Sequence, residues 1–182
     1  MPELPEVEIT VRTLKKYIIK QKIHDVTIFN GNLRYKIPSN LAKILKRQTI
    51  NEVKRRSKFI LFKTNHNTLL SHLGMTGRYI VKKNTLKLDT SFYNKKNIIK
   101  KHNHLLIRFK KFSIIYNDIR KFGFFKIYKN NNNFSRHLSN LGPEPLSGLF
   151  NYKYFHQKIK KRRISIKNLL MDQKFVSGLG NI

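Results

Sequence analysis

The chain has 182 residues, enough for one ordinary domain or for one domain with a small second one. It carries 39 Lys and Arg against 9 Asp and Glu, a net charge of +30, while 40% hydrophobic residues with 13 Phe and 8 Tyr exclude a disordered basic tail. Cysteine is absent, which excludes a disulfide framework, a catalytic thiol and a cysteine zinc site, and no run approaches the roughly 18 apolar residues of a membrane span.

Such a charge balance marks a polyanion binder, nucleic acid before membrane surface. An A/T-rich coding sequence would by itself enrich Lys, Asn, Ile, Tyr and Phe and produce the Asn run at 130–133. The charge is therefore consistent with DNA binding, and the motifs decide.

In chain order, Val7, Val11, Leu14 and Ile18 recur at helical spacing after Pro5, with Glu6 and Glu8 in the first turn, where the helix dipole favours acids. β-rich runs follow at 23–29, 49–56, 58–64, 68–73, 78–82, 104–109, 113–117 and 124–128, with a short helix over 41–45. Many short strands with few helices predict an α+β protein, an antiparallel β-sandwich flanked by helices. Residues 131–148, with Gly142, Pro143, Pro145 and Gly148, read as a linker after a first domain over 1–130. From 149 to 182 the pattern turns helical, with Tyr152, Phe155, His156 and Ile159, then Ile164, Ile166, Leu169 and Leu170, around a basic cluster at 158–163.

The opening Met1-Pro2-Glu3-Leu4-Pro5-Glu6-Val7-Glu8 carries the first chemical signal. Methionine before a small residue is normally removable, which would leave Pro2 with a free secondary amine. A reference α-amine titrates near 7.7–8.0 against about 10.4 for Lys, so more of it is neutral and nucleophilic at neutral pH. A secondary amine attacking a sugar C1′ gives an iminium, an electron sink able to drive elimination of the 3′ phosphate. Glu3 beside it can move protons between base, sugar oxygen and amine. The bland alternative is that Pro2, Glu3 and Glu6 simply start a helix.

Five further motifs bear on that choice: Arg55-Arg56-Ser57-Lys58-Phe59, Ser71-His72-Leu73-Gly74-Met75-Thr76-Gly77, Asn117-Asp118-Ile119-Arg120-Lys121-Phe122-Gly123, Leu141-Gly142-Pro143-Glu144-Pro145-Leu146 and Gly178-Leu179-Gly180-Asn181-Ile182. With the N-terminal stretch, they resemble the bacterial formamidopyrimidine-DNA glycosylase family in order and spacing. The resemblance implies base-excision repair by a bifunctional glycosylase and abasic-site lyase acting on oxidised purines such as 8-oxoguanine and formamidopyrimidines. By position it implies Pro2 as nucleophile, Glu3 as general acid/base, and Lys58 assisting beside the flanking phosphates. Glu6 would support the catalytic end of the helix or merely cap it. His72 matches a phosphate-contacting position, where a satisfied strand-end histidine would look the same. Met75, Arg120 and Phe122 match the side chains that fill the gap left by an extruded nucleotide, recovering part of an unstacking cost of a few kcal/mol. Without the family Met75 and Phe122 would more often be core, although Gly74, Gly77 and Gly123 suggest exposed turns. Lys167 lies in the family's helical stretch, and Asn181 matches a phosphate-contacting Asn, with a frayed terminus the expected state.

In the family the chain continues through a second helix of a helix-two-turns-helix module into a four-cysteine zinc finger, and neither is present here. The expectation is an incomplete module over 149–182, poorly ordered, with reduced activity and no cofactor in this chain. Ile119 and Lys121 depart from the usual Pro and Arg, and Lys loses the planar fork of Arg. The alternative reading is a noncatalytic damaged-DNA-binding remnant. The expected partner is damaged double-stranded DNA, bound by a monomer in the bacterial cytoplasm or nucleoid and away from membranes.

Overall fold

The computed structural model describes residues 2–83, 86–90, 99–130, 136–160 and 162–181. Helix α1 (Leu4–Ile18) starts where Glu3 donates its backbone N–H to the Glu6 carboxylate at 2.7 Å, satisfying one of the donors a helix start leaves open. Its stripe of Val7, Val11, Leu14 and Ile18 is buried. Strands follow as β1 (Asp25–Ile28), β2 (Ile50–Arg56), β3 (Phe59–Thr64), β4 (Asn67–His72), β5 (Arg78–Lys83), β6 (Leu86–Asp89), β7 (Asn103–Arg108), β8 (Ser113–Asn117) and β9 (Phe124–Lys129), with α2 (Leu41–Leu45) before β2.

All strand pairs are antiparallel, in two sheets ordered β1-β7-β8-β5-β6 and β2-β3-β4-β9. The fold is the α+β arrangement that the sequence predicts. Alternate residues meet between the sheets: Ile60 and Phe62 from β3, Tyr79 and Val81 from β5, Leu105 and Ile107 from β7, Ile114 and Tyr116 from β8. The stripe of α1 and Leu41 and Leu45 of α2 close the same core. The opposite face of the four-stranded sheet buries Leu61, Leu70 and Phe124, covered in part by Leu138 of α3 (Arg136–Ser139).

Strand β6 was not among the predicted runs. It is a four-residue strand paired with β5 at the edge of the sheet among the described residues, and its alternating Leu86 and Leu88 are too few apolar positions to stand out in a Lys- and Asn-rich stretch. Beyond residue 149 the structure departs from the expected poor order. Helices α4 (Tyr152–Ile159) and α5 (Ile166–Met171) pack Phe150, Tyr154, Phe155 and Ile159 around buried Leu169, Phe175 and Val176. Tyr154 also donates its hydroxyl to Phe175 O at 2.7 Å. The rings supply a small core that helical periodicity could not reveal, because Phe175 and Val176 lie outside any helix.

Two crossovers fix one edge of the sandwich. β4 pairs with β9 in one sheet and β5 with β8 in the other. The β4–β5 and β8–β9 connections therefore leave one sheet and enter the other side by side, between the pairs His72↔Phe124 and Arg78↔Asn117. The β2–β3 turn lies on the same edge, because Phe59 pairs with His72.

Leu14→Ala removes a side chain buried completely between helix and sheets, and unfolding in urea should show a loss of about 2–5 kcal/mol. Leu146→Ala, at a side chain that is 99% exposed, should change stability by no more than about 0.5 kcal/mol.

Candidate functional site

Pro2 is half-buried and immediately precedes Glu3. Glu3 is placed by the first turn of α1, and its carboxylate pairs with the ammonium of Lys58, with both residues buried. Among the described residues Oε2 has no donor other than that ammonium. Lys58 is aimed by a two-residue turn between β2 and β3 in which Ser57 takes φ 54°, a left-handed conformation uncommon for a residue with a side chain.

That turn is held from outside. Glu144 accepts the Ser57 N–H at 2.6 Å and receives both arms of Arg55, at 2.8 and 2.7 Å. Arg55 also donates to Ser57 O at 3.1 Å and to Glu8 on α1 at 2.8 Å. Its neighbour Arg56 reaches Leu141 O at 3.1 Å, Gly142 O at 2.7 Å and Ser177 Oγ at 3.0 Å. Burial alone would raise the Glu144 carboxyl, but the hydrogen bonds of Arg55 and Ser57 and the charges of Arg55 and Arg56 outweigh it and hold it below the ordinary value. At Glu8 burial is likewise overcome by Arg12 and Arg55, and the net shift is downward.

The Gly178-Leu179-Gly180 segment closes over the Glu3 carboxylate. A Cβ at Gly180 would stand 2.0 Å from Glu3 Oε2, and one at Gly178, whose φ is 103°, would meet Leu4 Cδ1 at 2.4 Å. Neither position has room for a side chain.

Met75 sits in the β4–β5 crossover and Arg120 and Phe122 in the β8–β9 crossover, and all three are exposed. The two loops are locked together at Asp118, a buried carboxylate that accepts from Gly123 N at 2.8 Å and from the Thr76 hydroxyl. Thr76 in turn accepts the Arg120 N–H at 3.0 Å. Gly74 takes φ 65°, and a Cβ there would lie 2.4 Å from the backbone of Phe122 and Gly123, so the loops touch main chain to main chain. The Arg120 guanidinium lies over the Phe122 ring at 4.8 Å.

His72 occupies the row between them and Lys58, its ring 5.0 Å from Phe59 and stacked at 5.3 Å on Phe124. Its Nδ1 accepts the Gly74 N–H at 3.0 Å, which leaves Nε2 as the ring donor. Burial first, then the charges of Arg34, Lys58 and His137, push its pKa down to about 4. A neutral imidazole offering one N–H follows.

Asn181 is exposed and directly follows Gly180, so it stands at the same end as Glu3. Lys167 is exposed on the first turn of α5. Sequence reading quoted Arg55, Arg56, Glu144 and Asp118 within motifs but assigned them nothing, and it missed Gln173. Their partners lie as far as 121 residues away, a separation that no local pattern carries. Among the described residues no three His or acidic side chains converge as a metal site, and the absence of cysteine does not fit a four-cysteine zinc site. Among them, too, no helix is long and apolar enough to cross a membrane.

Residues 1–125 match the formamidopyrimidine-DNA glycosylase N-terminal domain and residues 141–182 the formamidopyrimidine-DNA glycosylase H2TH domain. The whole chain is 42% identical over 183 residues to a formamidopyrimidine-DNA glycosylase of Ruthia magnifica subsp. Calyptogena magnifica, and 38% identical over 189 residues to that of Bartonella quintana. It spans 63% and 64% of the length of those curated relatives. Among solved structures, a complex between the Lactococcus lactis Fpg and abasic-site-containing DNA superposes with a TM-score of 0.83 at 33% identity, over 100% of this chain and 64% of that one. The G226P mutant of the L. lactis protein with Fapy-dG-containing DNA gives the same values.

His72 should remain neutral at pH 5 in an imidazole NMR titration, with Nε2 protonated; titration above pH 6 would contradict its packing. Because its folded pKa lies below the unfolded value, the folded state binds fewer protons between about 4 and 6.5, and stability rises with pH across that window. Glu8 and Glu144 act in the same sense: their contribution is complete above the ordinary carboxylate range and is lost as pH falls through their lowered folded values. Unfolding curves for Glu144→Gln should accordingly show a shallower loss of stability on acidification than those of the parent chain.

Proposed function

The chain belongs to the formamidopyrimidine-DNA glycosylase family, and from that premise we propose that it binds damaged double-stranded DNA, removes an oxidised purine and cuts the strand at the resulting abasic site. The observation that carries this reading is the buried Glu3–Lys58 pair next to Pro2, on the edge where the Met75 and Arg120/Phe122 loops meet. A reactive terminus, a proton-handling carboxylate and wedge-like side chains share one end of the sandwich.

Removal of Met1 exposes the Pro2 amine. Its nitrogen attacks C1′ of the extruded nucleotide as the C1′–base bond breaks, and the proton released by the amine passes to the Glu3 carboxylate and from it to the departing base. Opening of the sugar C1′–O4′ bond gives an iminium between C1′ and Pro2, with O4′ taking up a proton. Loss of a C2′ proton to a base then expels the 3′ phosphate, and water hydrolyses the iminium to return the amine. Lys58, beside Glu3, meets the flanking phosphate and balances the carboxylate. His72 offers its Nε2–H to phosphate, and Asn181, following the Gly178–Gly180 segment, does the same.

Met75 and Phe122 fill the space of the extruded nucleotide, and Arg120, stacked on Phe122, bonds the orphaned partner base. The high positive charge adds affinity through counterion release, with log affinity falling by about 0.9 per neutralised phosphate per log unit of salt.

Borohydride should trap a covalent adduct between the Met1-free chain and abasic-site DNA. Failure to trap, with Met1 shown by mass to be gone, overturns Pro2 as nucleophile. Glu3→Gln should slow base removal by at least about a hundredfold, within the usual range of general acid–base contributions, while impairing strand cutting at a preformed abasic site less; equal losses would contradict the proton-transfer role.

A further inference from the structure

Residues 174–181 contain neither helix nor strand, yet they hold the glycines that close on Glu3, and their backbone groups need partners. Gln173 supplies two of them. Its Nε2 donates to Leu179 O at 2.7 Å and its Oε1 accepts from Gly178 N at 2.8 Å, so one amide grips the strip through both a donor and an acceptor. Its own carbonyl accepts Gly142 N at 2.9 Å, and Ser57 Oγ reaches its Oε1 at 3.4 Å. Gln173 thus touches, on one side, the turn that aims Lys58 and, on the other, the strip whose Gly180 lies against the Glu3 carboxylate.

We propose that Gln173 is a positioning residue whose side-chain amide holds the Gly178–Gly180 strip over the Glu3–Lys58 pair. A primary amide is the group that serves, because a carboxylate has no donor for Leu179 O and an ammonium no acceptor for Gly178 N. With the amide gone, the strip lifts, water reaches the pair, and the carboxylate loses the wall that fixes its rotamer. The catalytic consequence rests on the glycosylase reading; the structural one does not.

The experiment uses the full chain, with Gln173→Ala, Gln173→Glu and the exposed Lys174→Ala as control, and two readouts. Amide hydrogen exchange at Leu4 and Gly178 should accelerate at least about tenfold in Gln173→Ala while sandwich amides such as Leu69 and Ile114 keep their rates. Single-turnover base removal at saturating lesion DNA should fall at least about tenfold and change its pH profile, as expected when a reacting group is misplaced by a fraction of an ångström. Affinity for the same DNA should change less than about threefold, since the amide contacts no phosphate. Gln173→Glu should be impaired at neutral pH and regain part of its rate on acidification, as its carboxyl recovers a proton to donate. Parental exchange at Leu4 and Gly178 in Gln173→Ala overturns the proposal, and so does faster exchange with unchanged rate and profile. If the parent chain removes no base, the glycosylase reading falls and the exchange data alone decide whether Gln173 holds the strip.

Discussion

A carboxylate and an ammonium buried against each other govern the construction of this molecule. Taking each ion out of water costs several kcal/mol even after relaxation, and the mutual attraction repays it only in good geometry. The Glu3–Lys58 pair therefore stabilises little and demands much of its surroundings. The demand is met from three sides. The start of α1 places the acid where the helix dipole favours it. A left-handed Ser57 turns Lys58 inward, and backbone from residues 178–180 covers the top. Removing either partner alone would strand a buried charge at a cost of about 3–5 kcal/mol, which makes the pair a device for fixing geometry rather than a source of stability.

The second constraint follows from the first. A left-handed non-glycine residue costs roughly 1–2 kcal/mol, and the Ser57 turn bears it because Glu144 and Arg55 bind its N–H and its carbonyl. The same Glu144 and the neighbouring Arg56 fasten the 141–144 segment and Ser177 to the sandwich. One polar junction thus aims Lys58 and docks the C-terminal helices, whose own core of Leu169, Phe175 and Val176 is small. Disturbance of the docking is felt at the ion pair through a few hydrogen bonds.

Helix α1, α2 and most strands were legible because their apolar residues follow the period of the element that buries them: Val7, Val11, Leu14 and Ile18 at helical spacing, Ile60 and Phe62 at alternate positions. The proximity of Pro2 and Glu3 needed no folding to be seen, because a terminus is one place in the sequence, and the resemblance supplied Lys58, Met75, Arg120 and Phe122 as candidates. What the sequence could not show is pairing at a distance. Thr76 and Asp118 lock the β4–β5 and β8–β9 loops across 42 positions, and Ser57 meets Gln173 across 116. Neither contact follows a period, and both exist only because the sheet order sets two crossovers side by side and folds the last segment back on the first helix. The order of the C-terminal stretch was missed for a related reason: its core is built by aromatic rings in irregular chain.

The distribution of acids separates function from compositional drift. A chain crowded with lysine by coding bias would be expected to lose its acids as well, and only nine remain. Five of them, Glu3, Glu6, Glu8, Asp118 and Glu144, stand at the working edge or its junction, each satisfied by a cation, a hydroxyl or a backbone N–H. None is left to repel a polyanion there. Glu8 and Glu144 are taken up by Arg55, Glu6 by the helix start, Asp118 by the loops it locks and Glu3 by Lys58, so the negative charge that builds the site is neutralised within the fold. Under the proposed function, the lysines and arginines beyond these pairs supply attraction of long range and low specificity, and discrimination is left to the shape of the loops and the chemistry of one buried carboxylate beside the Pro2 amine.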